Sequence, residues 1–336
     1  MNILRKILFP LAVGYGGVMA IRNFLFDNEL LKSEKYSFPV IGVGNLSVGG
    51  TGKSPMIEYL ISLLLSKYKV ATLSRGYGRR TSGYILLKGN EQAIIVGDEP
   101  LQFKNKYPSA IVAVDENRIR GIENLRTFEG AEVILLDDIF QHRKVTPGLS
   151  ILLTPFQDLF SKDHLFPAGN LREPRSGSKR ANIIVVTKCP KDLSREEQNK
   201  IKRNLKLEVG QKLFFGYIHY SEKIFQEATS LEIDEVKEHH FTLVTGIANP
   251  KPLLDHLKNS GLSFDHRKFP DHHNFTEGEI GSLGTDSKIL TTEKDYMRLK
   301  ELISPSRLYY LPISTGILNR KAQFDEIVRV FVSNKK

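Results

Sequence analysis

Lys53 and Ser54 close a glycine-rich run, Gly49, Gly50 and Gly52, within FPVIGVGNLSVGGTGKSPMIEYL (38–60). Those residue types in that order can hold a polyphosphate. Glycines let successive backbone N–H groups point into one concavity. The N-terminus of a following helix adds partial positive charge. The lysine ammonium reaches the β- and γ-phosphates, and the hydroxyl serves Mg²⁺. Val48, Gly49, Gly50, Thr51, Gly52, Lys53 and Ser54 form the expected nucleotide-binding turn. Further along, EVILLDD (132–138) runs into Asp137 and Asp138. An apolar strand ending in acid is the partner of such a loop and holds Mg²⁺ directly or through water.

Other segments offer single groups. AIIVGDEPLQF (93–103) reads as a strand that delivers Asp98 to the edge where ligands bind in an α/β sheet, with Asp98 as a helix N-cap the plainer alternative. Arg75 sits with Arg79 and Arg80 in a glycine-rich basic turn, and Arg118 and Arg120 lie on a helix after the strand AIVAV (110–114). Gln141, His142 and Arg143 follow the acidic pair, and Arg172 and Glu173 lie in a long basic loop. Asp271, His272 and His273 are adjacent, so they cannot all face one metal, and no HExxH or CxxC completes a site. A loop histidine working with a carboxylate is the better reading.

These groups need elements to position them. Phe38–Val43 reads as a buried strand before the glycine turn. Ile57, Leu60, Ile61 and Leu64 share one face of the helix after it, and Pro55 suits its first turn. Ser47 stands where such loops usually carry their first glycine. Strands alternate with helices across 38–190, which predicts a P-loop NTPase-like, doubly wound and mainly parallel α/β sheet. Alternation resumes after a charged helix near 190–206, predicting a second, smaller α/β domain. The expected division is 1–28, 29–206 and 207–336.

Of 336 residues, 40% are apolar and 26% charged, which suits ordinary globular cores. The single cysteine, Cys189, excludes an internal disulfide and a multi-cysteine zinc site. A net charge of +10 points to phosphate-rich ligands, an anionic membrane or nucleic acid. The N-terminus favours the membrane. Arg5, Lys6 and Arg22 bracket a charge-free run from Ile7 to Ile21, with Phe9, Tyr15, Phe24 and Phe26. That pattern fits an interfacial helix, and fifteen residues fall short of the roughly 20 that a full span takes. A signal peptide lacks a convincing cleavage site, and an N-terminal core helix is the plainer alternative. Its removal is expected to free the chain from membranes and leave nucleotide binding alone.

Taken together, VGNLSVGGTGKSP, LSRGYGR, GDEP, LDDIFQHRK, LFPAGNLREP, VTGIANP, FPDHHNFT and TTEKD resemble the tetraacyldisaccharide 4′-kinase family of Gram-negative bacteria, in order from about residue 36 to 295. The resemblance implies transfer of the γ-phosphoryl of ATP, with Mg²⁺, to the 4′-hydroxyl of an acylated glucosamine disaccharide 1-phosphate. It implies work at the cytoplasmic face of the inner membrane, with the site between a P-loop domain and a smaller domain. By position, Lys53 and Ser54 match the family's loop, and Asp137 and Asp138 its magnesium-side acids. Asp98 matches the proposed base and His272 its partner. Arg172 and Glu173 match the LRE of the cleft, and Arg75 the SRGY loop. Substrate or phosphate is expected at Arg75, Arg118, His142, Arg172 and Glu173. Ile139 stands where many members have glycine.

A membrane-associated P-loop GTPase switch is the alternative class, but Thr187-Lys188-Cys189-Pro190 lacks the aspartate of a guanine reader. Nucleic acid is not an expected partner, since the basic residues are not interleaved with an aromatic platform. No obligate protein partner is evident.

Overall fold

The computed structural model describes residues 7–227, 229–284 and 287–335. Arg5 and Lys6 lie outside the described residues. Eight strands come first: Val40–Asn45 (β1), Val70–Ser74 (β2), Ile85–Leu86 (β3), Ile111–Val114 (β4), Val133–Asp137 (β5), Leu149–Pro155 (β6), Ile183–Thr187 (β7) and Lys212–Tyr220 (β8). Six more follow: Lys223–Gln226 (β9), Thr229–Glu232 (β10), His240–Thr245 (β11), Ser263–Lys268 (β12), Lys288–Thr292 (β13) and Leu308–Leu311 (β14). Ile313–Ile317 (β15) and the helix Lys321–Ser333 end the described chain.

Two sheets result. The larger has the order β15-β8-β7-β6-β1-β5-β2-β4-β3. Its strands from β8 to β4 pair in parallel, and both edge pairs are antiparallel. The smaller has the order β10-β9-β14-β13-β11-β12 and is parallel from β14 to β12. β1 lies between β5 and β6, buried along its whole length, because continuous apolar runs suit strands covered on both faces. The carboxyl ends of β1 and β5 therefore deliver the glycine turn and Asp137 side by side.

Two expectations are corrected. Ala93–Val96 is a short helical turn, not a strand. Gly97 takes φ 94°, closed to L side chains, and a Cβ there would meet Gly76 Cα at 3.3 Å. The chain turns there, and Asp98 opens the helix Asp98–Lys106. Its acidic first turn, Asp98 and Glu99, faces the positive end of the helix dipole. A strand reading fails because four apolar residues fit a buried helical turn equally well.

Nor does sheet membership follow the division at 206. β8 extends the large sheet past that point, and β15 returns to it beside β8. The small sheet is built from residues 223–311, between these two neighbouring strands. Ser221 N–H donates to Pro312 O at 3.0 Å where the chain leaves and re-enters. The C-terminal helix seals the large sheet through Phe324 against Phe214, with ring centroids 5.2 Å apart, and through Tyr59 donating to Asp325 at 2.5 Å. Past the charged helix the sequence has no composition break at 221 or 312, so the true seams left no signal.

The N-terminal helix Phe9–Asp27 docks one stripe on the large unit, with Ala12 and Asn23 buried. Ile7, Leu11, Val13, Val18 and Ile21 remain exposed.

Where the two units meet, charge is buried. Lys106 Nζ lies 2.8 Å from Glu58 Oε2 and 2.9 Å from Glu293 Oε2. Gln102 donates to the other Glu58 oxygen at 2.7 Å. Glu58 belongs to the loop helix Lys53–Leu64 and Glu293 to the helix Glu293–Leu299 of the small unit. One ammonium faces two carboxylates, so burial raises the Glu58 carboxyl to about 7 despite Lys106.

A folded-state pKa above the unfolded value means a proton retained on folding. The stability from that proton is complete below the unfolded pKa of about 4.3 and is lost as pH rises towards 7. Glu58→Gln removes this loss. Its thermal midpoint relative to the native chain is expected to improve by roughly 2–6 °C between pH 5 and pH 8. A difference that stays flat with pH refutes the buried-proton account.

Candidate active site

The glycine turn begins at the carboxyl end of β1. Gly49 and Gly52 take φ values of 98° and 91°. Ser47 is not among the positive-φ residues, so glycine is not required there. It is buried and bridges Leu171 instead. Three bonds brace the turn from behind. Asn45 Nδ2 donates to Thr51 Oγ1 at 2.6 Å, Thr187 Oγ1 to Thr51 O at 2.7 Å, and Lys188 Nζ to Gly50 O at 2.6 Å. Lys188, weighed above as part of a guanine reader, is thus a support of the loop.

Lys53 Nζ lies 3.7 Å from Asp138 Oδ1. Arg172 grips both oxygens of Asp138 at 2.7 and 2.8 Å and also donates to Asn45. Burial would raise the Asp138 carboxyl, but the Arg172 bonds and Lys53 hold it well below the usual carboxylate range. Its neighbour behaves oppositely. Burial first, then the Glu99 charge, pushes Asp137 up to about 7, and its Oδ1 is buried without a partner. Ser54 Oγ donates to Glu99 Oε1 at 2.7 Å.

These oxygens fit a hard divalent cation. Asp137 Oδ1 is an orphaned acceptor, Ser54 is adjacent in function, and oxygen donors suit Mg²⁺. Among the described residues no three His, Cys, Asp or Glu side chains form a metal cage.

Ile139 is buried and resolves its departure from the family pattern. A Cβ on Gly42 would meet Ile139 Cγ2 at 2.6 Å, so the bare glycine of β1 makes room for the larger side chain. Asp138 itself sits at φ 52°, a left-handed conformation that aspartate tolerates better than most residues.

The small unit adds the rest. His272 Nδ1 lies 3.1 Å from Asp98 Oδ2, across 174 residues of sequence. Glu99 N–H donates to Asp98 Oδ1 at 2.9 Å. Lys294 Nζ lies 2.9 Å from His272 Nε2 and 3.5 Å from Glu99 Oε1. Arg298 Nε lies 3.7 Å from Asp98 Oδ2. Burial would raise the Asp98 carboxyl; His272, Lys294 and Arg298 together bring it below its ordinary value. His273 turns away to Glu279 at 3.0 Å, and Asp271 stays exposed.

The expected substrate residues divide. Arg75 is exposed at the end of β2. His142 is pushed down to about 4, by burial first and then by the Arg118, Arg75 and Arg22 charges, so it is neutral at pH 7. Three of them are engaged with protein groups. Arg118 is buried and donates to the carbonyls of Asp115 and Asp137, at 3.2 Å in the second case, so it buttresses the end of β5. Arg172 is spent on Asp138. Glu173 is 1% exposed and accepts from Arg180 and Gln141, each at 2.7 Å.

Sequence reasoning missed Glu99, Lys294, Arg298 and Asn45. Lys294 and Arg298 lie four apart on one helix face, a legible spacing, but nothing marked what that face meets. It also missed the inner face of the N-terminal helix. Tyr15 donates to Arg172 O at 2.5 Å, Asn23 to Glu173 at 3.4 Å, and Arg22 to Gln141 O at 2.6 Å. The helix thus supports the loop that grips Asp138. Deleting residues 1–24 is therefore expected to weaken nucleotide binding by roughly three- to tenfold, as for one or two lost hydrogen bonds. Calorimetric titration in detergent measures it. Unchanged affinity would leave the helix an anchor alone.

A family model described as tetraacyldisaccharide-1-P 4′-kinase matches residues 4–332. A tetraacyldisaccharide 4′-kinase of Flavobacterium johnsoniae is 51% identical over 99% of this chain and 98% of its own length. One from Bacteroides thetaiotaomicron is 43% identical over 98% and 93%. The crystal structure of LpxK from Aquifex aeolicus in complex with ATP is similar at a TM-score of 0.79, with 29% identity, covering 98% of this chain and all of that one.

Proposed function

Because this chain belongs to the tetraacyldisaccharide-1-P 4′-kinase family, we propose a division of labour among its residues for that reaction. The chain is a tetraacyldisaccharide 4′-kinase of lipid A biosynthesis. ATP lies with its β- and γ-phosphates on the amides of Gly49 to Ser54 and on Lys53. Ser54 and Asp137 would hold Mg²⁺; Asp138, bound by Arg172, orients Lys53 instead. Bound there, the cation offsets charge on the phosphate oxygens.

The acceptor is a secondary sugar hydroxyl, a weak nucleophile at neutral pH. Asp98 takes its proton as the oxygen attacks the γ-phosphorus and the bond to the β-phosphate oxygen breaks. The observation that carries this reading is the 3.1 Å contact of Asp98 with His272 from the other unit, one residue from the Glu99 that bonds Ser54. A base kept ionised by three cationic or donor groups stays ready at neutral pH. Arg75, exposed, and neutral His142 are the groups offered to the acceptor's own phosphate. Lys53 stabilises charge on the transferred group.

The N-terminal helix is long and apolar enough to cross a membrane by length and composition. We read it as lying in the interface, since Tyr15, Arg22 and Asn23 are committed to the large unit. Its exposed apolar residues meet the acyl region at the cytoplasmic face, where the four-chain substrate and ATP are both within reach.

Lys53→Ala is expected to lower kcat/KM by about 10² or more with the fold intact, measured by transfer of labelled γ-phosphate to the lipid. Near-normal turnover refutes the loop assignment. Asp98→Ala and His272→Ala are each expected to cut kcat by about 10² or more, and the double variant to be little worse than the poorer single. Losses that multiply would show that the two act separately.

A further inference from the structure

We propose that Lys294 is a positioning residue for the transfer: it locks His272 in the one ring tautomer that donates to Asp98. The geometry is explicit. An ammonium has three donors and no acceptor. At 2.9 Å from Nε2, Lys294 Nζ leaves that ring nitrogen only the acceptor role. The ring proton must then sit on Nδ1, the atom 3.1 Å from Asp98 Oδ2. Reversed, the Nδ1 lone pair would face a carboxylate lone pair and the contact would be repulsive.

The surroundings keep Lys294 charged. Burial alone would lower its pKa, but Glu99, Asp98 and Asp271 outweigh that and raise it. Glu99 Oε1 is 3.5 Å away and Asp271 Oδ1 4.0 Å. Arg298, the other nearby cation, is turned to Asp295 and to His273 O at 2.8 Å. The ring face of His272 is covered by Tyr77, with centroids 5.0 Å apart, which supplies no competing charge.

The arrangement has a second property. Lys294 and His272 belong to the same unit, whereas Asp98 belongs to the other. The Lys294–His272 bond is therefore made within one unit, and the ring meets Asp98 across the seam. His272 itself sits at φ 56°, which turns its ring out of the loop towards both partners. This role rests on the reading of Asp98 as base, but the ring state can be read without catalysis.

The experiment uses the full chain in detergent with ¹⁵N-labelled histidine. The His272 ring signals are assigned by their loss in His272→Gln. The neutral Nδ1–H tautomer is expected in the native chain near pH 7.5, and a mixed or doubly protonated ring in Lys294→Met. In steady-state assays Lys294→Met is expected to lose about 10- to 100-fold in kcat, with KM for ATP within about threefold. Lys294→Arg, which restores the charged donor, recovers most of it. An Nε2–H or doubly protonated ring in the native chain overturns the proposal. So does Lys294→Met with native kcat, or with a lower kcat and an unchanged ring. If Lys294→Met does not fold, Lys294→Gln and the native spectrum still decide. Full kcat in Asp98→Asn sinks the base reading separately, whatever the ring shows.

Discussion

The helix Glu293–Leu299 crosses the helix Asp98–Lys106, and charge is buried on both sides of that crossing. On one side Glu293 meets Lys106, and Met297 lies by Asn105. On the other, Lys294 meets Glu99 and Arg298 meets Asp98. Residues four apart on one helix thus reach the same end of the other, and their sequence neighbours reach the opposite end. Breaking one partner of such a pair leaves an uncompensated buried charge and costs far more than the pair contributes when whole. The small unit is therefore held in a defined register on the large one. His272 meets a carboxylate on a different sheet because that register is fixed.

The same economy of charge shapes the nucleotide side. Five basic groups, Lys53, Arg75, Arg118, Arg172 and His142, lie around two aspartates. The sequence scatters them over five segments; the structure brings them together and separates their surroundings. Arg118 and Arg172 are committed to protein oxygens, Lys53 faces the glycine turn, and His142 stays uncharged in their field. Asp137 and Asp138 are neighbours in sequence with opposite titration behaviour because one is buried beside Glu99 and the other is gripped by a guanidinium.

What was legible in the sequence was local. A glycine turn between an apolar run and an amphipathic helix specifies its own geometry, so β1, the loop and its helix came out in place. The parallel sheet followed from alternation. The pairing of Asp98 with His272 came from the family resemblance, and the hydrogen-bond geometry brings the two together although the element assigned to Asp98 was wrong. Illegible features depended on distant partners. Glu173 looked like a cleft carboxylate, and only Arg180, Gln141 and Asn23 around it show otherwise. The stripe of the N-terminal helix carrying Tyr15 and Asn23 was overlooked because apolar content dominated the reading. Sheet membership departs from the division at 206 because an insertion between adjacent strands changes no local propensity.

That insertion bears on how the chain reaches its structure. β8 and β15 are antiparallel neighbours separated by the whole small unit, and the terminal helix Lys321–Ser333 covers what they complete. During synthesis the large sheet waits, with the faces of Phe214 and Tyr59 uncovered, until the last strand and helix have emerged. The small unit, whose strands are closer in sequence, can collapse first. It then draws the two flanking segments together, as Ser221 and Pro312 meet at 3.0 Å. Ordering the insert shortens the effective loop that β15 must close, and loop-closure entropy falls with loop length. The insertion that supplies His272 thus also brings together the two strands that complete the sheet carrying the glycine turn.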